Sequence, residues 1–121
     1  MGLQGLKTGI ILFTEKYEEC VAFYRDVVEL PFMYDQDDLT CFAFGGSYLM
    51  VEPGGAAKNK KDISQNPTTL RFDVDNFDES VKFLQDKGID VSVQTYDWGT
   101  IGEFYDPDGH RCSLKKGSRL K

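Results

Sequence analysis

Side chains equipped for catalysis are few in this chain, and they are scattered. The one histidine, His110, directly follows a turn signal, where an exposed side chain is expected. The three cysteines, Cys20, Cys41 and Cys112, are widely spaced, with no CxxC pair and no Cys/His arrangement to make a thiolate nucleophile. Ser113 also lacks a histidine partner, so no nucleophile system is visible. Two kinds of chemistry remain. A lone carboxylate, Glu52, could move a proton, although no second group is fixed beside it. Arg71 could recognise an anion, because a guanidinium forks onto two oxygens of a carboxylate or phosphate. Its partner is either a protein carboxylate, Glu52 or Asp73, or an acidic group on a ligand.

These residues sit on a pattern of elements that is written twice. Tyr17–Val27 lies over Phe77–Lys87 at an offset of 60 residues, half the chain. Glu19/Glu79, Val21/Val81, Phe23/Phe83 and Asp26/Asp86 are identical pairs, and Tyr17/Phe77, Glu18/Asp78, Cys20/Ser80 and Tyr24/Leu84 are conservative ones. The first half reads strand (5–13), helix and three strands (31–34, 39–44, 47–52). The helix face is Tyr17, Cys20, Val21, Tyr24 and Val28, and turns are expected at Asp35–Asp38 and Gly45–Gly46. The second half repeats the order, with strands at 67–74, 91–96, 100–105 and 110–115. Its helix is opened by Asn76 with Glu79 three residues on and closed at Gly88, and Asp106-Pro-Asp-Gly109 forms a turn. This predicts an α+β fold of two βαβββ modules, residues 1–53 and 67–121, joined by a solvated linker over 54–66.

Composition narrows the partners. A chain of 121 residues makes one domain with a core of its own. The net charge of -6 excludes a general nucleic-acid binder, and the short Lys58–Lys61 cluster does not change that. No apolar run approaches a membrane span, and nothing before Met1-Gly-Leu-Gln reads as a signal peptide. Unpaired thiols then predict a reducing, cytoplasmic setting.

The order of elements resembles the paired modules of the vicinal oxygen chelate superfamily, which includes glyoxalase I, the bleomycin-resistance proteins, fosfomycin-resistance enzymes and extradiol dioxygenases. Three motifs carry the likeness: Ala22-Phe23-Tyr24-Arg25-Asp26, Val74-Asp75-Asn76-Phe77-Asp78-Glu79, and Phe104-Tyr105-Asp106-Pro107-Asp108-Gly109. The resemblance implies a curved mixed sheet shaped as a cup. In the metal enzymes of the superfamily, a His or Gln on the first strand of each module and a Glu on the last strand of each hold a divalent ion. Those positions fall here on Gly9, Thr69, Met50 and Ser113. A slip of two residues would bring Glu52 into the place of Met50. Glycine offers no donor, and hydroxyls are poor ligands for a borderline cation, so no metal and no other cofactor is expected.

Strand alternation then gives the cup-facing side chains: Lys7, Gly9, Ile11 and Phe13, then Tyr48, Met50 and Glu52, Thr69, Arg71 and Asp73, and Arg111, Ser113 and Lys115. Trp98, with Tyr96 and Phe104, offers an aromatic wall for a flat ligand, or packs in a core or dimer seam. The expected ligand-binding set is Tyr48, Met50, Glu52, Thr69, Arg71, Trp98, Phe104, Arg111 and Ser113. The resemblance implies a homodimer that binds a small organic molecule, as the bleomycin-resistance branch does. The alternative it implies is a glyoxalase-like lyase or isomerase that uses Glu52 as metal ligand or base.

Overall fold

The computed structural model describes residue 3, residues 7–54 and residues 68–117. The predicted linker over 54–66, apart from Gly54, and its Lys58–Lys61 cluster lie outside them. The chain divides into two compact units, Met1–Lys60 and Lys61–Lys121. Each is a βαβββ module. Among the described residues, no helix is long and apolar enough to cross a membrane.

In the first unit, β1 (Gly9–Thr14) leads into α1 (Tyr17–Ala22) and a widened π-helical turn, Phe23–Val27; β2 (Phe32–Gln36), β3 (Leu39–Phe44) and β4 (Ser47–Pro53) follow. The sheet order is β1-β4-β3-β2, with β1 and β4 parallel and the other pairs antiparallel. In the second unit, β5 (Leu70–Val74), α2 (Phe77–Asp86), β6 (Ser92–Tyr96), β7 (Gly99–Tyr105) and β8 (Arg111–Lys116) give the same order, β5-β8-β7-β6. Helical connections between parallel strands force each helix onto one face of its sheet.

The strand alternation predicted from sequence is visible in burial. Leu12, Leu49 and Val51 in the first unit, and Leu70, Cys112 and Leu114 in the second, are buried on the helix-covered faces. Phe42, fully buried, pairs with Leu49, and Phe104 pairs with Cys112, so both belong to the covered layers. All three cysteines are free and buried.

The two helices end differently. In α2, Asn76 Oδ1 accepts the Glu79 amide at 3.3 Å, as the sequence signal predicts. The Gly88 amide returns to Gln85 O and the Ile89 amide to Leu84 O, with Gly88 at φ +83, the left-handed stop that glycine takes at no steric cost. The first helix instead widens by one residue into a π-turn. Val28 N reaches back five residues to Phe23 O, and Leu30 N bonds to Tyr24 O. Its left-handed stop is Glu29, at φ 62. Shifted by the repeat offset of 60, the Leu30 donor comes one position later than Ile89, and the left-handed Glu29 one position later than Gly88, which is the signature of a single inserted residue.

Candidate functional site

The face of each sheet opposite its helix carries the polar and aromatic side chains, and strand register sets what stands beside what. In the first unit Gly9 pairs with Tyr48, Ile11 with Met50 and Phe13 with Glu52. Cys41 pairs with Met50, and Ala43 with Tyr48. In the second unit Arg71 pairs with Ser113 and Asp73 with Lys115. On the far side of β8, Glu103 pairs with Ser113 and Tyr105 with Arg111. Because Ile11 and Arg71 are 60 apart, the two parallel pairs make Met50 and Ser113 structural counterparts, as the sequence alignment has them.

At the four positions where the resemblance implies metal ligands, the donor chemistry does not suit a divalent cation. A Cβ built on Gly9 would overlap the Tyr48 ring, which lies across that glycine. Any side chain at Gly9 must therefore displace Tyr48. Met50 offers only a thioether. Ser113, 1% exposed, has its hydroxyl oxygen engaged, accepting the Arg71 Nε–H at 2.6 Å. Thr69, half-buried, precedes β5. Glu52, also half-buried, is one carboxylate alone in its strand pair with Phe13.

Arg71 does not pair with Asp73, the carboxylate on its own strand, and bonds Ser113 instead. Its side chain is exposed, and Asp73 does not lie within ion-pair distance of it. One nitrogen is tied to Ser113, and the two terminal nitrogens remain as donors.

Two expectations are corrected. Phe104 does not join the aromatic wall: it is 1% exposed on the covered face, its ring 6.5 Å from Phe72 in a stacked pair. The odd and even positions of β7 diverge, and Tyr105, not Phe104, shares the face of Arg111. Trp98 stacks on Tyr96 at 5.1 Å and 4°, and both rings are exposed. His110 is not an exposed turn residue either. Its side chain is 11% exposed, and Nδ1 lies 2.7 Å from Asp106 Oδ2. Asp106 is the centre of that turn, since its Oδ1 also accepts the amides of Asp108 and His110. A buried carboxylate requires such partners, and the histidine supplies one of them.

Sequence reading missed Tyr34 and Cys41 on the helix-free face. Between Phe32, which pairs with Phe42, and Tyr34, which pairs with Cys41, β2 carries a bulge. The extra residue turns Tyr34 to the side of Met50 and Tyr48, where simple alternation would leave it level with Phe32. Interaction with the Cys41 side chain, hydrogen bonding first and then charge, holds the Tyr34 phenol above the ordinary tyrosine value. Alternation along β3 could have found Cys41; only the bulge reveals Tyr34.

On the covered side of the first unit, a cavity of about 430 Å³ opens between α1 and the β2–β3 hairpin, walled by Tyr17, Arg25, Asp35 and Thr40 among others. Thr40 donates to Asp35 Oδ1 at 2.7 Å, so the 2.6 Å contact of Tyr17 OH with Thr40 Oγ1 has the tyrosine as donor. This chain satisfies the buried threonine and ties the helix to the hairpin. Arg25 bonds Asp26 through two nitrogens, each at 2.9 Å, and that pair raises its already high pKa.

Comparison with known proteins agrees with this architecture. A family model described as a glyoxalase-like domain matches residues 7–116. No curated protein sequence matches the chain. Among solved structures, an antibiotic-binding protein, TnmS3 from Streptomyces sp. CB03234, aligns with a TM-score of 0.76 at 21% identity over 98% of this chain and 99% of its own. A lactoylglutathione lyase from Agrobacterium tumefaciens aligns at 0.73 and 19%, over 94% of this chain and 95% of its own. The fosfomycin resistance protein FosX from Mesorhizobium loti aligns at 0.71 and 19%, over 98% and 96%. At these identities the likeness is one of fold.

Proposed function

This chain belongs to the glyoxalase-like family of the vicinal oxygen chelate superfamily, and on that footing we propose that it binds a small organic molecule without using a metal ion. The observation that carries the reading is the pair of strand contacts at the implied ligand positions. In one unit the Tyr48 ring lies over Gly9, and in the other Arg71 occupies the hydroxyl of Ser113. A divalent ion needs several lone-pair donors aimed at one point, and the side chains at Gly9, Met50, Thr69 and Ser113 do not supply such a set. The candidate binding surfaces are the helix-free faces of the two units, each taken by itself: Tyr48, Met50 and Glu52 in the first, and Thr69, Arg71, Arg111 and Ser113 in the second. Trp98 and Tyr96 form an exposed aromatic platform at the β6–β7 turn. The fold itself supports binding as a function, since one structural neighbour is an antibiotic-binding protein.

Thermal-shift screening of the whole chain against a chemically diverse panel, with and without a chelator, tests this reading. Ligands should raise the unfolding temperature by mass action, and the chelator should leave those shifts unchanged. A stoichiometric divalent ion in the purified protein, lost in Glu52→Ala, would overturn the reading in favour of a glyoxalase-like enzyme.

A further inference from the structure

We infer that the Arg71 guanidinium, anchored by Ser113, is the fixed positive charge at which this chain receives an organic oxyanion, a carboxylate or phosphonate. The inference rests on the binding function proposed above and names its ligand class.

Four observations lead to it. First, Ser113 is 1% exposed and directly opposite Arg71 across the parallel β5–β8 pair, and it accepts from Nε at 2.6 Å. That bond fixes the plane of the guanidinium while leaving both terminal nitrogens as donors. A pre-held fork loses less rotamer freedom on binding than a free one.

Second, Arg71 forms no ion pair among the described residues, although carboxylates stand on its own face. Asp73 lies opposite Lys115, and Glu103 accepts a hydrogen bond from Tyr105 OH at 3.1 Å. A guanidinium cannot shed its proton to relieve an unmatched charge, so it must be matched by solvent or by a ligand.

Third, charge on this face runs against the rest of the chain. Arg71, Arg111 and Lys115 outnumber Asp73 and Glu103 in a protein whose net charge is -6. Such a local reversal favours anions. Fourth, the counterpart of Arg71 in the first unit is Ile11, opposite Met50, which gives the anion one address and not two.

Ser113 stands where the resemblance implies a carboxylate ligand to a metal. In place of a carboxylate holding a metal cation, a hydroxyl here holds an organic cation. Both arrangements put positive charge at the same strand pair.

Phenylphosphonate, benzoate and the neutral benzamide, titrated into the full chain up to millimolar concentration and followed by NMR chemical shifts, test the inference. The two anions should bind, with benzamide weaker by about tenfold or more. Arg71→Gln should remove that preference; Arg71→Lys, which keeps the charge but not the fork, should retain part of it. Ser113→Ala should weaken anion binding less than Arg71→Gln, and Lys82→Gln on α2 should change nothing. Thermal unfolding of each variant separates lost binding from lost fold. Equal binding of benzoate and benzamide, unaltered in Arg71→Gln, would overturn the oxyanion inference and leave the binding function standing. Absence of binding by all three probes, together with an empty ligand panel, would overturn both.

Discussion

The two modules carry the same helix motif and use it differently, most plainly at Phe23 and Phe83. These residues are identical and 60 apart, yet Phe23 is 5% exposed and Phe83 is 38% exposed. The burial of Phe23 coincides with the widened turn of the first helix. In α2 the regular helical turn buries Leu84 and leaves Phe83 outside, with the Lys87 ammonium 4.2 Å from its ring centroid. In the first unit the widened π-helical turn buries both Phe23 and Tyr24, whose rings meet edge to face at 5.1 Å. A duplicated sequence thus specifies the helix twice, while the backbone path and the side chains buried differ between the two copies.

The difference can be broken most severely at those phenylalanines. Phe23→Ala should cost about 3–5 kcal/mol of stability, and Phe83→Ala about 1 kcal/mol or less, since the latter loses only surface contact and a cation–π interaction. Chemical denaturation of both variants reads the gap directly. Equal losses would mean that the π-helical turn does not govern packing.

A smaller contrast separates the first strands. Gly9→Ala forces a methyl group into the Tyr48 ring and should cost about 1–3 kcal/mol, whereas its repeat partner Thr69→Ala should stay within about 0.5 kcal/mol. Adding Tyr48→Ala to Gly9→Ala should recover part of the loss, a coupling that a double-mutant cycle measures. Additive losses would show that the ring does not depend on the glycine.

The smallest contrast lies at the helix starts. Asn76 caps α2 through its side chain, while Lys16, in the same place before α1, makes no side-chain cap. Asn76→Ala should cost about 1 kcal/mol and Lys16→Ala within about 0.5 kcal/mol, both read from thermal unfolding.

Much of this architecture was legible in the residues because it depends on local rules. The Asn76 cap, the Gly88 stop, the left-handed Gly109 and the alternation of Leu49, Met50 and Val51 each follow from one residue's own conformational or solvation preference. The same logic identified Gly9, Met50, Thr69 and Ser113 as positions without a metal-ligand set. It failed where one added residue changes phase. A bulge in β2 carries Tyr34 to the face of Cys41, and no composition signal in Pro31-Phe-Met-Tyr34 marks it. Proximity in sequence to Trp98 misleads for Phe104: Trp98 lies in the turn before β7, whereas Phe104 stands within the strand opposite Cys112, on the covered face.

By itself the sequence determined the repeated order of elements and the covered faces, because propensity, capping and period-two burial act within a few residues. Only the tertiary structure decided that the Tyr48 ring lies over Gly9, that His110 joins Asp106 at the heart of a turn, and that Arg71 is held by Ser113 and by no carboxylate among the described residues. Those outcomes depend on register between strands or on the exact path of the chain between them. A shift of one residue would reverse every facing side chain, and that choice is made by the packed sheet as a whole.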